Sequence, residues 1–412
     1  MFFWHSKNIV YVVGLTLAIL GVGHAQSADS NLHEEIKADY EQFFNLQSNE
    51  NQGERIDKRR DVWKEGAEQN MPEALVLWGR CCWKDENVEE ACRSFRQAAE
   101  QGFARGEYDF GMCLYSGKGV EKNSTEAIKW FRKAAEQELH EAQCALGNCY
   151  ETGDGVEQSF VTAFEWYQKG AKNENAFSMV KLGHYYCGGI EGIPKDHEKS
   201  FSWYKKSAAQ GYSWGEYYLG VAHGNGIGVE VDREEAVKWF RIAAEKGMEE
   251  AQNSLGHCYA SGEGVEKSEE EAIKWYRKAA EQGHEMAQLN YGHCLLNAKG
   301  VERDEKEGIR WIRKSAYAGN ADSQAILARC YYDGDGVKRN YPLALIWYKR
   351  AAEKECPSAQ HMVGMFYDYG ISVEENRTYA IHWYEAAAKK GYSFSQERLK
   401  ELEIKAATPP DK

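Results

Sequence analysis

Apolar positions along this chain fall in short bursts of helical spacing, interrupted at regular intervals by glycine. Residues 139–174, LHEAQCALGNCYETGDGVEQSFVTAFEWYQKGAKNE, show the unit. Ala142, Leu146, Gly147 and Tyr150 follow the i, i+4, i+8 spacing of one helix face. Gly153-Asp154-Gly155-Val156 then ends that helix. A second helix is predicted over about Val161–Lys172, with Ala163, Trp166, Tyr167, Gly170 and Ala171 on its inner side. The unit is a helix–turn–helix hairpin. Neither helix buries its face alone, so neighbouring hairpins must stack.

The unit recurs. Tryptophan stands at 130, 166, 203, 239, 275, 311, 347 and 383, with a spacing of 36 residues broken once by 37. Glycine stands at 79, 111, 147, 183, 220, 256, 292 and 364, and Ala328 fills the one gap. These two markers divide residues 72–391 into nine units: 72–102, 103–138, 139–174, 175–211, 212–247, 248–283, 284–319, 320–355 and 356–391. The first lacks the glycine turn, the fourth carries an extra residue near GGIEGIPKD, and the ninth has Ser372 for the second turn glycine. Residues 26–71 read as an N-terminal helical cap, and 392–412 as a capping helix with a disordered tail, TPPDK. Small residues hold one position throughout, from Ala74, Gly106, Ala142 and Ser178 to Ala359 and Ser395. The glycine after the leucine sits inside a helix, where it costs ~1 kcal/mol against alanine. Close helix–helix approach is the gain that offsets it, and the Trp-aromatic pair of the second helix supplies the filling knobs.

The pattern A-x-x-x-L-G-x-x-Y-x-x-G-x-G-V, followed by A-x-x-W-[YF]-x-K-A-A-x-x-G, runs nearly unbroken through residues 248–283. It resembles the Sel1-like repeat, a relative of the tetratricopeptide repeat. The resemblance implies an all-α fold, a right-handed α-solenoid of stacked hairpins. It is far more specific for fold than for function.

The 412 residues exceed what one core organises, near ~250–300 residues. The net charge of −13 gives no electrostatic footprint for nucleic acid and disfavours an anionic membrane surface. Residues 1–25 read as an export signal: Lys7, an apolar run from Ile9 to Val22, then Gly23-His24-Ala25 with cleavage after Ala25. The run is short for a membrane span. The expected location is periplasmic or secreted, or the endoplasmic-reticulum lumen in a eukaryote. Export permits disulfides, and the cysteine count of 11 is odd. Cys81, Cys113, Cys149, Cys258, Cys294 and Cys330 recur two residues after the marker position. Stacked equivalents lie ~9–10 Å apart, too far to bridge one another. They read as small buried apolar residues. A disulfide between Cys82 (or Cys81) and Cys92 is expected across the shortened first turn.

No cofactor, metal or catalytic residue is assigned. The G-x-G-V turns lie between helices with no preceding strand, so they read as turns rather than phosphate cradles. His257 and His293 lack the spacing of a shared metal site. Asn123-Ser124-Thr125 and Asn376-Arg377-Thr378 are glycosylation sequons that matter only in a eukaryotic source. Cysteine-rich exported members of the same family, for which β-lactam binding or hydrolysis has been proposed, bridge a second helix to the following first helix. The matching positions here include Ala135 and Ala142, and no Ser-x-x-Lys motif with its partner motifs stands out.

The resemblance also implies that first helices line the concave face, through positions six before, three before and one after the glycine. These rows vary far more than the packing rows. They contain Arg105 and Glu141, and the candidate partner-binding residues Tyr108, Met112, Phe177, His184, Trp214, Tyr217, His257 and His293. The expected function is an exported, non-catalytic scaffold for a protein or peptide partner. It is expected to be monomeric, with no nucleic acid partner and no membrane span after export. Two alternatives are a β-lactam or cell-wall-material binder, and a structural envelope protein joined through its ends or a spare thiol.

Overall fold

The computed structural model describes residues 25–45, 52–190 and 192–407; the apolar run of the export signal and the TPPDK tail lie outside them. Among the described residues there are 21 helices and no strand, with one isolated bridge between Ile190 and Ile193 at the inserted residue of the fourth unit. Helices α1 (Ala25–Asn45) and α2 (Gln52–Glu68) come first. Hairpins follow: α3 (Pro72–Lys84) with α4 (Val88–Glu100), α5 (Ala104–Ser116) with α6 (Ser124–Glu136), α7 (His140–Thr152) with α8 (Phe160–Lys172), and α9 (Ala176–Gly188) with α10 (His197–Ala209). The array continues with α11 (Ser213–Asn225) and α12 (Arg233–Glu245), α13 (Glu249–Ser261) and α14 (Glu269–Gln282), and α15 (Glu285–Leu296) and α16 (Glu305–Ala318). It ends with α17 (Ala321–Asp333) and α18 (Tyr341–Glu353), α19 (Pro357–Asp368) and α20 (Arg377–Lys389), and a lone α21 (Ser393–Ala407). Two compact units divide between Gly215 and Glu216, inside α11. Within each, consecutive helix pairs pack on one another as an α-solenoid.

The second helices start in one way. A short polar residue at the N-cap accepts the N–H three residues on, as Asn123 does from Glu126 at 3.0 Å, Asp232 from Glu235 at 2.9 Å and Asn340 from Leu343 at 3.0 Å. Each such cap is worth ~1 kcal/mol. The asparagines of both sequons, Asn123 and Asn376, are caps of this row. The first helices have no such cap where they begin at Phe103, Leu139 or Met248. A glutamine in the first turn of five first helices reaches back, whether or not the helix has a side-chain cap. Gln143, Gln252, Gln288, Gln324 and Gln360 each donate to a carbonyl eight residues earlier, at 3.0–3.4 Å. That carbonyl, at the C-terminus of the preceding helix, also accepts a backbone N–H three residues on, so the glutamine adds a second donor and ties the two helices.

The helix-interior glycines are contact points. A Cβ on Gly147 would lie 2.6 Å from the Tyr167 ring, and one on Gly364 2.6 Å from the Tyr384 ring. The residue that fills the gap is the one after each tryptophan, aromatic except at Ile312: Phe131, Tyr167, Ile312 and Tyr384 are at most 1% exposed. The tryptophans of unit 1 lie further out, while Trp275, Trp311 and Trp347 of unit 2 are buried. Trp130, Trp166 and Trp203 are only half-buried, and the ammonium of the lysine three residues on lies 3.9–4.2 Å from each ring. The small-residue row is fully buried, with Ala74, Ala142, Ser178, Ala251, Ala359 and Ser395 all at 0%. At the turn, Gly153 and Gly155 have φ of 75° and 79°, and a Cβ on Gly155 would meet the Ser124 backbone at 2.6 Å. Ser372 keeps this conformation without glycine, at φ 60°. Lys400 of α21, exposed, stands at the position that Gly364 holds in α19.

The first hairpin corrects the disulfide expected between Cys82 and Cys92. Cys92 of α4 bridges Cys113 of α5 instead, with Cα atoms 6.1 Å apart. Cys82 is a free buried thiol. The reason is local: the short α3–α4 turn closes by a backbone bond from Asn87 N–H to the Cys82 carbonyl at 2.9 Å, with Glu86 at φ 63°. Cys92 faces the next hairpin rather than its own turn. Cys113 therefore leaves the row of simple buried cysteines, while Cys81, Cys149, Cys258, Cys294 and Cys330 stay in it as free buried thiols.

Candidate partner-binding face

The first helices of unit 1 carry a connected set of charges and rings. Arg105, on the first turn of α5, places its Nη1 2.5 Å from Glu141 of α7 and its Nε 3.6 Å from Asp109, one turn on. Arg80 of α3 pairs with the same Asp109. The Arg105 side chain is 11% exposed and that of Asp109 5%. Burial works against the Glu141 carboxylate, but Arg105 overrides it and holds the pKa below the ordinary value. The guanidinium lies between two rings, 4.2 Å from Phe44 and 5.5 Å from Tyr108. Two carboxylates thus fix an arginine whose flat faces contact aromatics.

A second knot lies on α7 and α9. Lys181 Nζ is 2.6 Å from Glu151, and the Tyr167 hydroxyl donates to the same carboxylate oxygen at 3.0 Å. Lys181 also lies 5.5 Å from the Phe177 ring. Burial, with Lys181 adding to it, pushes the His184 pKa down to about 4, so the imidazole is neutral at physiological pH. Burial pushes the Cys144 thiol up to about 12, which keeps it out of its reactive thiolate form. Ser178 and Lys181 stand in Ser-x-x-Lys spacing. Ser178 is 0% exposed, however, and a Cβ on Gly170 would lie 2.5 Å from its Oγ. Lys181 is held by Glu151, so the pair has no access for acyl transfer.

The sequence-derived residues divide between the units. Tyr108 and Met112 of α5 are half-buried against the core of the α5–α7 stack, with Tyr108 5.8 Å from Phe131. Phe177 and His184 lie on α9, 6.3 Å from Tyr167 and 5.8 Å from Tyr204 respectively. Trp214 is half-buried on the first turn of α11. In unit 2, Tyr217 packs 5.7 Å from Phe240, His257 is exposed, and His293 is half-buried with a pKa lowered by burial and by Lys299 and Arg329. In the same row as Tyr108, Val76, Val180 and Leu289 are buried and belong to the core.

Asp109, Glu151 and Lys181 were not singled out from sequence. Two of them have a signal, a carboxylate 16 residues before the aromatic knob and a cation 30 residues after that carboxylate. Glu151–Tyr167–Lys181 has this spacing, and so does Asp368–Tyr384–Arg398 at the far end of the chain, where Arg398 Nη2 is 2.6 Å from Asp368.

Eight consecutive segments, beginning at residue 104 and ending at 392, match the Sel1 repeat: 104–139, 140–175, 176–212, 215–248, 249–284, 285–320, 321–356 and 357–392. The chain belongs to the Sel1 repeat family. The α3–α4 hairpin lies before the first match. A Sel1 repeat protein from Oxalobacter formigenes is similar at 30% identity and a TM-score of 0.57, over 75% of this chain and 90% of that one. The protein c5321, a protective antigen of uropathogenic Escherichia coli with an SLR fold, is 29% identical over 93% of this chain and 90% of its own, at a TM-score of 0.44. No protein of curated description matches. Sel1 repeats typically serve as protein-interaction scaffolds. Among the described residues no three metal-ligating side chains converge, and no helix is long and apolar enough to cross a membrane.

Proposed function

We propose that this Sel1 repeat protein is an exported, non-catalytic scaffold that holds a protein or peptide partner along the face formed by its first helices. The observation that carries this reading is the contrast between rows. Positions that pack hairpins are uniform and buried, while the first-helix row around Arg105, Tyr108, Met112 and Glu141 is specific and partly open. Stacked arginine and tyrosine are the side chains that dominate binding energy in protein interfaces. The Cys92–Cys113 bridge supports an oxidising compartment, in line with the N-terminal signal. The suppressed thiol of Cys144 and the enclosed Ser178 support a role without covalent chemistry.

The test is a cross-linking pull-down from the native envelope or secreted fraction. It compares the wild-type chain with Tyr108→Ser/Met112→Ser, after both are matched for helicity and thermal midpoint. A partner captured by the wild type and lost by the variant is expected. A partner retained by both moves the interface off this face.

A further inference from the structure

The last turn of α1 crosses the first hairpin and touches the second. The helix is anchored on α2 and α3 as far as Phe44, with Phe43 edge-on to Trp63 at 6.0 Å and Tyr40 and Phe44 against the core of Leu75, Val76 and Ala98. Ile36 is 1% exposed among Trp63, Ala74 and Leu77, and Asp39 accepts from Arg59 Nη2 at 2.7 Å and from the Trp63 indole N–H at 2.8 Å. Tyr40 and Phe44 sit one turn apart on one face and reach past the first hairpin as well. Tyr40 lies edge-on to Phe103, the N-cap of α5, at 5.2 Å. Phe44 covers the Arg105 guanidinium at 4.2 Å and lies 5.8 Å from that of Arg80.

Arg105 is on the row where a partner would dock, and its charge is already met by Asp109 and Glu141. What it still offers is a flat face, and Phe44 takes that face. We infer that the Arg80–Arg105–Tyr108 seat reads aromatic side chains, that Tyr40 and Phe44 are its intramolecular occupant, and that the external ligand is a helix of another protein presenting two aromatic residues one turn apart. This rests on the scaffold reading above. The chemistry of the ligand is taken from the occupant: rings spaced four residues apart, which share a helix face, meeting an arginine held planar and desolvated. The seat is satisfied in cis, so a trans ligand binds in proportion to the fraction of chains in which α1 has lifted.

The probe is a fluorescein-labelled peptide of residues 30–45, SNLHEEIKADYEQFFN. It is titrated by anisotropy against the full chain and against Tyr40→Lys/Phe44→Lys, which sets cations against Arg80 and Arg105. The variant is expected to bind the peptide at least about tenfold more tightly than the wild type. A control peptide with serine at both aromatic positions is expected not to bind. Adding Arg105→Lys to the variant keeps the charge but loses the planar face, and is expected to lower peptide affinity about tenfold or more. Equal binding by wild type and variant, or none by either, overturns the inference. So does a dimer that forms together with peptide-independent association, which assigns the seat to exchange of α1 between copies. If the variant loses helicity, hydrogen exchange on the wild type decides. Saturating peptide is expected to speed exchange at residues 40–45, and no change there overturns the cis-occupant reading. A natural partner captured equally by wild type and variant leaves the scaffold standing and removes only this gate.

Discussion

The first helices of unit 1 and unit 2 differ where their packing does not. Both units carry the glycine-to-knob contact, with a Cβ on Gly147 or Gly256 falling 2.6 Å or 2.8 Å from the tyrosine ring behind it. Both carry the glutamine reaching back across the turn, Gln143 in one and Gln252 in the other. The row between these fixed positions diverges. In unit 1 it holds Arg105, Tyr108 and Glu141, tied to one another by charge and ring contacts. In unit 2 it holds Tyr217, Asn253, the buried Leu289, the half-buried Ala325 and His361, with Asn253 accepting a hydrogen bond from Asn290 at 3.0 Å. A repeat fold constrains only the positions that touch the next hairpin. The rest are free to become chemistry, and in unit 1 that chemistry is an arginine held by two carboxylates and two rings.

The sharpest way to break this comparison is to remove Arg105. Arg105→Ala leaves Glu141 without its arginine and Asp109 with Arg80 alone, and a loss of about 2–3 kcal/mol is expected from unit 1. Asn290→Ala in unit 2 is expected to cost about 1 kcal/mol or less. Denaturant melts of the two variants make the comparison, and equal losses would erase it. Opening the Cys92–Cys113 bridge, by reductant or Cys92→Ala/Cys113→Ala, is expected to cost about 3 kcal/mol for a separation of 21 residues. Hydrogen exchange should place that loss in α3 to α6 and leave α13 to α20 unchanged. Exchange that speeds throughout the chain would show the hairpins melting as one.

Where the units are alike, equal effects are expected. Gly147→Val and Gly256→Val each drive a side chain into a tyrosine ring, and each should cost about 2 kcal/mol in thermal or urea unfolding. A loss confined to one unit would mean that the shared contact is not equally tight. The smallest effect is acid sensitivity. The folded His184 pKa of about 4 lies below the ordinary imidazole value. Its contribution is therefore fully present above pH ~6.5 and is lost as pH falls towards ~4, because the unfolded chain takes up the proton first. About 1–2 kcal/mol should disappear over that window. His184→Phe is expected to flatten the stability–pH curve there, and an unchanged curve would assign the acid loss to other groups.

Much of the fold was legible because stacking forces residue type at a fixed spacing. Trp130 to Trp383 mark the second helices, and Ala142 with its equivalents marks the buried seam. The Trp-aromatic pair shares the filling unevenly. The residue after each tryptophan, aromatic except at Ile312, meets the helix-interior position, while Trp275, Trp311 and Trp347 are buried and Trp130, Trp166 and Trp203 lie half-buried under a lysine. The site was legible only in outline. Arg105 and Glu141 lie 36 residues apart on the row named for binding, but their pairing, and the cover of Arg105 by Phe44, depend on how three separate helices meet. Cys92 shows the same limit: its nearest partner in sequence is in α3, and its partner in space is on α5.

The sequence by itself determined the repeat, the hairpin and the positions that must be small, because each hairpin buries its face only against a copy of itself. Tertiary structure alone decided which cysteines meet, which arginine becomes a fixed aromatic contact, and that the last turn of α1 lies on it. Those outcomes depend on side-chain direction and on the distance between helices that are remote in sequence. A spacing of residues fixes which face a side chain occupies, but not what stands opposite it.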